Sequence, residues 1–382
     1  PPQSPAEARS PSQSPKSTVF TRDPLAGRIP VTLITGFLGS GKTTLLSRLV
    51  RHPAMAGAAV VINEVGEIGI DHDLVTMASE NVALLASGCI CCSVRTDLQE
   101  TLRYLFARRL AGEIPDFDRL IIETTGLADP APVVQTLASD TLLAAQFRLD
   151  GLVTLVDGAQ ALQQLAAHGA TAKQIELADR VFITKADLVD EAQRQAVEQA
   201  VRALNPRAPV STLLHGEVDP AELTGLGLAS ARASPATLSF LGEPLAGDGA
   251  AGERHLGQRP ALHDASIRTL SLRFETPFAW PAFSAALELL TTLRGPDLLR
   301  VKGIVNVEGK PVVVQGVQHI FHDPVELDRW PSADTGTRLV FITRGIDAAT
   351  IRNLLSAVAA ASPAANPAAG PAETPAANPT SS

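Results

Sequence analysis

The sequence predicts an α/β fold in two bodies, the first built on a mostly parallel sheet and the second a smaller C-terminal α+β unit. Three observations carry this. Between residues 29 and 215, apolar runs of strand length alternate with helical patterns, the signature of a sheet covered on both faces. The first run leads straight into a glycine-rich loop and then a helix. A stretch of Gly, Pro and Ala at 216–262 separates this body from a second, at 263–361, where period-2 strand patterns dominate.

The first run is Val31-Thr32-Leu33-Ile34-Thr35, followed by Gly36-Phe37-Leu38-Gly39-Ser40-Gly41-Lys42-Thr43-Thr44 and the helical Leu45-Leu46-Ser47-Arg48-Leu49-Val50. Strand, G-x-x-x-x-G-K-[ST] and helix together are the context a phosphate-binding loop requires. Gly36, Gly39 and Gly41 let the backbone curl so that N–H groups, including those of Ser40 and Thr44, face phosphate oxygens at a helix N-terminus. Lys42 then reaches the β and γ phosphates, and the Thr43 hydroxyl binds Mg²⁺. The loop marks the first body as a P-loop NTPase domain.

The further strands of that body are expected at Ala59-Val60-Val61-Ile62, Val82-Ala83-Leu84-Leu85, Leu120-Ile121-Ile122, Leu152-Val153-Thr154-Leu155-Val156 and Val181-Phe182-Ile183, with helices at 96–110 and 191–204 among those between them. In the second body strands are expected at 267–274, 303–307, 311–317 and 338–342, and helices at 279–290 and 348–359. Residues 1–28 and 362–382, rich in Pro, Ala, Ser and Asn, read as disordered tails, and 216–262 as a flexible linker.

Bulk properties narrow the function classes. With 382 residues there is room for about two domains. A formal net charge of −8 gives no basic surface for nucleic acid. Neither a membrane-length apolar run nor a secretory leader is present, so no membrane partner is expected. All three cysteines fall between positions 89 and 92, which excludes a disulfide scaffold and fits a cytoplasmic location.

Two strand ends extend the nucleotide reading. Leu120-Ile121-Ile122 runs into Glu123-Thr124-Thr125-Gly126, where Glu123 can hold Mg²⁺ and Gly126 lets a backbone N–H approach the γ-phosphate. Val181-Phe182-Ile183 runs into Thr184-Lys185-Ala186-Asp187. There Lys185 can cover a purine face, and the Asp187 carboxylate can accept the ring N–H and exocyclic amine of guanine, a pair adenine does not offer. The usual motif is Asn-Lys-x-Asp, and Thr184 stands where Asn is expected.

Gly88-Cys89-Ile90-Cys91-Cys92 holds every cysteine of the chain. Thiolates select Zn²⁺, Cu⁺ or Co²⁺, and three clustered ones leave an open coordination sphere suited to releasing a metal. A redox cluster and inert buried thiols are the alternatives. Between loop and cysteines lies the acidic Asn63-Glu64-Val65-Gly66-Glu67-Ile68-Gly69-Ile70-Asp71-His72-Asp73, placed where a switch loop sensing the γ-phosphate would sit. Glu64 or Glu67 could add a ligand to the cysteine metal, while His72 reads as exposed. His319 and His322, with Asp323, read as ordinary strand-end residues, with an accessory metal site as the alternative.

In this order the loop at 36–44, Asn63-Glu64-Val65-Gly66-Glu67, Gly88-Cys89-Ile90-Cys91-Cys92 and Glu123-Thr124-Thr125-Gly126 resemble the CobW family of metallochaperone GTPases. The second body is similar to that family's C-terminal domain, notably at Val314-Gln315-Gly316-Val317-Gln318-His319 and Arg338-Leu339-Val340-Phe341-Ile342. The resemblance implies a slow GTPase using GTP and Mg²⁺, which binds Zn²⁺, or Co²⁺, through Cys89, Cys91 and Cys92 and hands it to a client metalloprotein. The linker lacks the His-rich tract of many members, carrying only His215, His255 and His263 nearby. No residue stands out as the one that orients the hydrolytic water, and a homodimer is compatible with the pattern. A non-catalytic, metal-responsive GTP-binding adaptor and a P-loop small-molecule kinase are the competing readings.

Overall fold

A computed structural model describes residues 27–62, 98–227 and 267–361, together with the backbone of three strands at 75–79, 82–85 and 90–93. The strands of the first body form wherever β-branched and aliphatic residues run together. They are β1 (Ile29–Gly36), β2 (Ala58–Ile62), β3 (Val75–Ser79), β4 (Val82–Leu85), β5 (Ile90–Ser93), β6 (Arg119–Glu123), β7 (Phe147–Asp157), β8 (Arg180–Thr184) and β9 (Val210–Leu213). They make one sheet in the order β3-β4-β5-β2-β6-β1-β7-β8-β9. From β5 to β9 every pairing is parallel, while β3 and β4 add an antiparallel edge.

The expected strands all form, mostly longer than their apolar runs; β7 extends back to Phe147 and is buried throughout. Sequence patterning missed β3, β5 and β9. In β5 Cys91 and Cys92 are themselves strand residues. Strands of four or five residues are too short to show a periodic signal of their own.

Alternation along each strand sends residues to two different cores. Val31, Leu33, Leu120, Ile122, Val181 and Ile183 join one hydrophobic cluster, and Ile34, Ile121 and Phe182 the other. The first is covered by α2 (Leu98–Leu110), α3 (Ala131–Ser139), α4 (Thr141–Gln146), α5 (Ala161–Ala167), α6 (Gly169–Glu176) and α7 (Glu191–Leu204). The second is covered by α1 (Lys42–Leu49) and by Leu223 and Leu226. Those two leucines correct one expectation. Residues 216–227, assigned to the linker, are packed on the first body, with Gly225 and Gly227 donating backbone N–H bonds to the Asp150 carboxylate at 2.7 and 3.3 Å. The remainder of the linker, 228–262, residues 263–266 of the second body, residues 1–26 of the first tail and the whole of the second, 362–382, lie outside the described residues.

The second body is a six-stranded antiparallel sheet formed by β10 (Ile267–Phe274), β11 (Arg300–Val307), β12 (Lys310–Val317), β13 (Ile320–Phe321), β14 (Val325–Glu326) and β15 (Thr337–Arg344). Helices α8 (Trp280–Arg294) and α9 (Ala348–Ala361) bury their apolar stripes on it. The two bodies share a core, since Ile267, Leu299, Val317 and Ile342 belong to the same hydrophobic cluster as α2 to α7.

At that junction sits a buried ionic group. The Arg300 guanidinium donates from Nη2 to both oxygens of Asp179 at 2.8 Å, Lys302 Nζ donates to Asp179 at 3.0 Å, and the Leu152 N–H adds a third donor at 2.9 Å. Arg344 approaches Glu176 at 3.4 Å, and Gln315 Nε2 donates to the Leu149 carbonyl at 3.3 Å.

His322 lies at the same junction, its backbone N–H bonded to the Gln315 carbonyl. Burial, with Arg300 and Arg28 adding to it and Asp323 opposing, pushes its pKa from 6.5 down to about 4. A histidine held neutral in the fold but free to charge when unfolded weakens stability as pH falls from about 6.5 to about 4. The effect is expected to reach about 3 kcal/mol. Thermal melts of wild type and His322→Gln across that range check it: the variant should lose less stability on acidification.

Candidate nucleotide and metal site

Because β5 to β9 run parallel, the strand ends Gly36, Ile62, Glu123, Asp157, Thr184 and Leu213 share one edge of the sheet. In open α/β sheets ligands bind at such carboxyl ends. Here the loop after β1 closes over that edge. Gly36 has φ +145°, and a Cβ there would stand 2.4 Å from the Leu155 carbonyl oxygen, so no other residue fits. Gly41, at φ +93°, precedes the first turn of α1. No side chain caps that helix and no acidic residue sits in its first turn. Its positive dipole end therefore faces the loop with no acidic side chain of its own first turn to offset it.

Lys42 folds back over the loop, its Nζ donating to the carbonyls of Gly36 at 3.0 Å and Phe37 at 3.3 Å. Thr43 and Thr44 are exposed, and Ser40 is buried. The Phe37 ring stacks on His168, with centroids 4.8 Å apart.

Glu123 ends β6 fully buried, in register with Ile34 on one side and Ile62 on the other. Thr124 then ties the turn to β1, with its N–H on the Ile34 carbonyl at 2.9 Å and its hydroxyl on Thr35 Oγ1 at 2.8 Å. Gly126 backs directly onto the phosphate loop: a Cβ there would lie 2.6 Å from the Leu38 nitrogen. Glu123, Lys42 and the loop glycines thus come together at one edge, within one layer of backbone.

Beyond β8, Thr184 occupies the position expected to be Asn. Its hydroxyl donates to the Ser40 carbonyl at 2.8 Å, stitching the strand end to the phosphate loop. Lys185 takes a left-handed backbone, φ 54°, and its Nζ pairs with Asp157 at 2.7 Å. Asp187 is exposed. A cavity of about 250 Å³ opens there, bounded by Gly41 and Thr44 on one side, Lys185 and Asp187 on another, and His215. Thr184, Leu188, Leu213 and Gly216 complete its wall.

Asp157, His215 and Gly216 were absent from the sequence reading of the site. Asp157, which also accepts the N–H groups of Ala159 and Gln160, had a signal of the same kind as Glu123, an acid at a strand end. His215 and Gly216 had none, since they reach the site through a packing contact: a Cβ on Gly216 would stand 2.9 Å from the Thr44 carbonyl oxygen.

Of the expected ligands to the cysteine metal only two cysteines are described. Cys89, Glu64, Glu67 and His72 lie outside the described residues. Cys91 and Cys92 stand in β5, paired with Val60 and Val61 of β2, which in turn pair with Ile121 and Ile122 of β6. Only β2 therefore separates the cysteine strand from the strand that ends at Glu123, two strand spacings or about 10 Å. Among the described residues no group of three or more His, Cys, Asp and Glu could hold a metal, and His319 and His322 form no such cluster.

Residues 30–212 match the family described as CobW/HypB/UreG, nucleotide-binding domain, and residues 267–359 match the cobalamin synthesis protein cobW C-terminal domain. The chain belongs to the CobW family. Among CobW relatives it is 34% identical over 322 residues to the zinc chaperone YjiA of Escherichia coli, covering 82% of this chain and 93% of that protein. It is 32% identical over 354 residues to the zinc chaperone CobW of Pseudomonas aeruginosa, covering 87% and 92%. The fold matches a crystal structure of Zn(II)-bound YjiA GTPase from E. coli with a TM-score of 0.63 and 30% identity, over 87% of this chain and 99% of that one. The CobW architecture, a P-loop domain with a parallel sheet followed by an antiparallel C-terminal sheet, is the one the strand patterns predicted. No helix among the described residues is long and apolar enough to cross a membrane.

Proposed function

We propose that this CobW-family chain is a cytoplasmic, slow GTPase that carries zinc on its C-x-C-C strand and delivers it to a client metalloprotein under nucleotide control. The observation that carries the reading is the shared sheet edge. Along the carboxyl ends of the parallel strands it gathers the uncapped N-terminus of α1, Lys42, the buried Glu123 and, beyond β8, Asp187, with the strand of Cys91 and Cys92 one intervening strand away from that of Glu123.

In this reading Lys42 leaves its two loop carbonyls for the β and γ phosphates, and the loop N–H groups hold the phosphate oxygens. Thr43 and Glu123 are the oxygen donors that fit Mg²⁺, a hard cation whose charge offsets that of the phosphates. Positioning and charge stabilisation carry the hydrolysis, in which water attacks the γ-phosphorus and GDP leaves. Zinc is cargo, held by thiolates of Cys89, Cys91 and Cys92 with Glu64 as an added ligand; Cys91 and Cys92 follow one another in a strand, so one ion draws on two of the three, and thiolates accept Co²⁺ as well. Relatives named zinc chaperones favour zinc.

Two measurements test this. Anaerobic Zn²⁺ and Co²⁺ competition titrations are run without nucleotide, with Mg²⁺·GDP and with a non-hydrolysable Mg²⁺·GTP analogue. Metal affinity should change between nucleotides, and a Cys89/Cys91/Cys92→Ser variant should lose it; equal affinity in all three states removes nucleotide control. For the base, Asp187→Ala is expected to weaken GTP binding by about 100-fold or more while leaving weak ATP binding unchanged, because only guanine offers the lost donor pair. Equal losses for both nucleotides would place the base elsewhere.

A further inference from the structure

The turn that follows Glu123 is held from behind by one side chain the nucleotide motifs do not include. Gln174, on α6, is fully buried, and both hydrogens of its amide are used there: Nε2 donates to the carbonyl of Gly126 at 3.2 Å and to that of Ala128 at 3.0 Å. Its neighbour Lys173 pairs with Asp129 of the same turn. The carbonyl of Gln174 accepts the Thr154 hydroxyl at 2.7 Å, which anchors the helix to β7. On its other side the turn meets the phosphate loop at Leu38, with no space for a Cβ at Gly126. The turn therefore lies clamped between the phosphate loop and α6.

The same short segment reaches the C-terminal domain. Two residues after Gln174, the buried Glu176 faces Arg344 of β15. Three residues later, Asp179 takes Arg300 and Lys302 of β11. Between these points the chain is pinned by one side chain. The buried Asn205 amide donates to the carbonyls of Ile175 at 2.9 Å, Glu176 at 3.3 Å and Ala178 at 2.9 Å. Residues 174–179 thus form a stiff strap with the nucleotide-facing turn at one end and the second sheet at the other, a contiguous packed route between the two bodies.

We infer that Gln174 is a positioning residue for the Gly126 turn, and that the strap from Gln174 to Asp179 passes the turn's position to the C-terminal domain. This rests on the reading above in which the Gly126 N–H faces the γ-phosphate. A turn that moves when the γ-phosphate is present or absent must pull on, or release, the Gln174 amide. The strap then shifts Glu176 and Asp179 against Arg344, Arg300 and Lys302. By reciprocity, contacts in the second body bias the nucleotide site between triphosphate and diphosphate.

The test measures binding of a fluorescent GDP and a fluorescent non-hydrolysable GTP analogue to the full chain. The proteins are wild type, Gln174→Met, Arg344→Met and the double variant. Gln174→Met should weaken the triphosphate analogue about tenfold, the worth of one or two hydrogen bonds, and leave GDP within about twofold. Arg344→Met, far from the nucleotide, should change the triphosphate-to-diphosphate affinity ratio by about threefold, and the double variant should depart from additivity. Equal weakening of both nucleotides, as simple loosening of the fold would give, overturns the positioning role. An unchanged ratio in Arg344→Met, or strict additivity, overturns the link to the second body. Gln174→Asn, which keeps the amide but shortens its reach, replaces the Met variant if that one does not fold, with the same expectations. Lys42→Ala distinguishes failure of the parent reading: if it binds both nucleotides as wild type does, the phosphate site itself is misplaced. If it loses both while Gln174→Met spares both, only the positioning inference fails.

Discussion

Replacing Asp179 by alanine is expected to lower the unfolding free energy by about 3–5 kcal/mol, the largest stability effect predicted for a single site in this protein. The carboxylate is buried with Arg300 and Lys302, and each of the three side chains is at most 2% exposed. Removing the anion leaves two buried cations in the junction between the bodies without the carboxylate they share, although Lys302 keeps the Leu226 carbonyl and the attraction of Asp150. The loss comes mainly from their stranded charges rather than from the pair's own strength. Replacing all three groups by Leu, Met and Met should therefore recover much of the stability, because the desolvation of all three charges disappears together. Urea denaturation of the single and triple variants checks both statements. A triple variant no more stable than Asp179→Ala would show that the group contributes by attraction instead.

Asp179 also sets an acid limit. Burial alone would raise its pKa, but the charges of Arg300 and Lys302 outweigh that and hold it below the ordinary 3.8. A carboxylate with a depressed pKa in the fold contributes stability above its unfolded value and loses it as pH falls through the folded value. This loss comes at lower pH than that of His322, so acid unfolding should show two separate contributions.

The second large effect is on nucleotide binding. Lys42→Ala is expected to weaken both GTP and GDP by about 100-fold, since charge-assisted bonds to phosphate oxygens contribute about 1.5–3 kcal/mol each. Titration with fluorescent nucleotide measures it. The thermal midpoint without nucleotide, recorded alongside, separates loss of the site from loss of the fold, because Lys42 Nζ also bonds Gly36 and Phe37 within the loop. Retention of affinity within about threefold would mean that the loop does not hold phosphates.

Much of the candidate nucleotide edge could be proposed from the sequence because its chemistry is local. Gly36 and Gly41 are demanded by positive φ, and Gly36 also by a carbonyl in contact; the loop that needs them is nine residues long. Glu123 and Asp187 announce themselves as acids just past apolar runs, and parallel strands bring such ends to one edge. Thr184 looked like a weakened guanine motif when judged by residue type. The fold gives its hydroxyl a different task, holding the Ser40 carbonyl 144 residues away.

By itself the sequence determined the strand runs, the phosphate loop, the acids that follow β6 and β8, and the clustering of all three thiols, since each depends on residues close together in the chain. Only the tertiary structure decided that Cys91 and Cys92 lie in a strand beside β2, that 216–227 packs on the first body, and that Gln174, Asn205 and Asp179 link the Gly126 turn to the second sheet. The physical reason is the same in each case. A buried Gln, Asn or Asp carries no periodic signal, and its partners stand 27 to 123 residues away, so its role exists only once the fold has removed water and left those partners as the groups that can satisfy it.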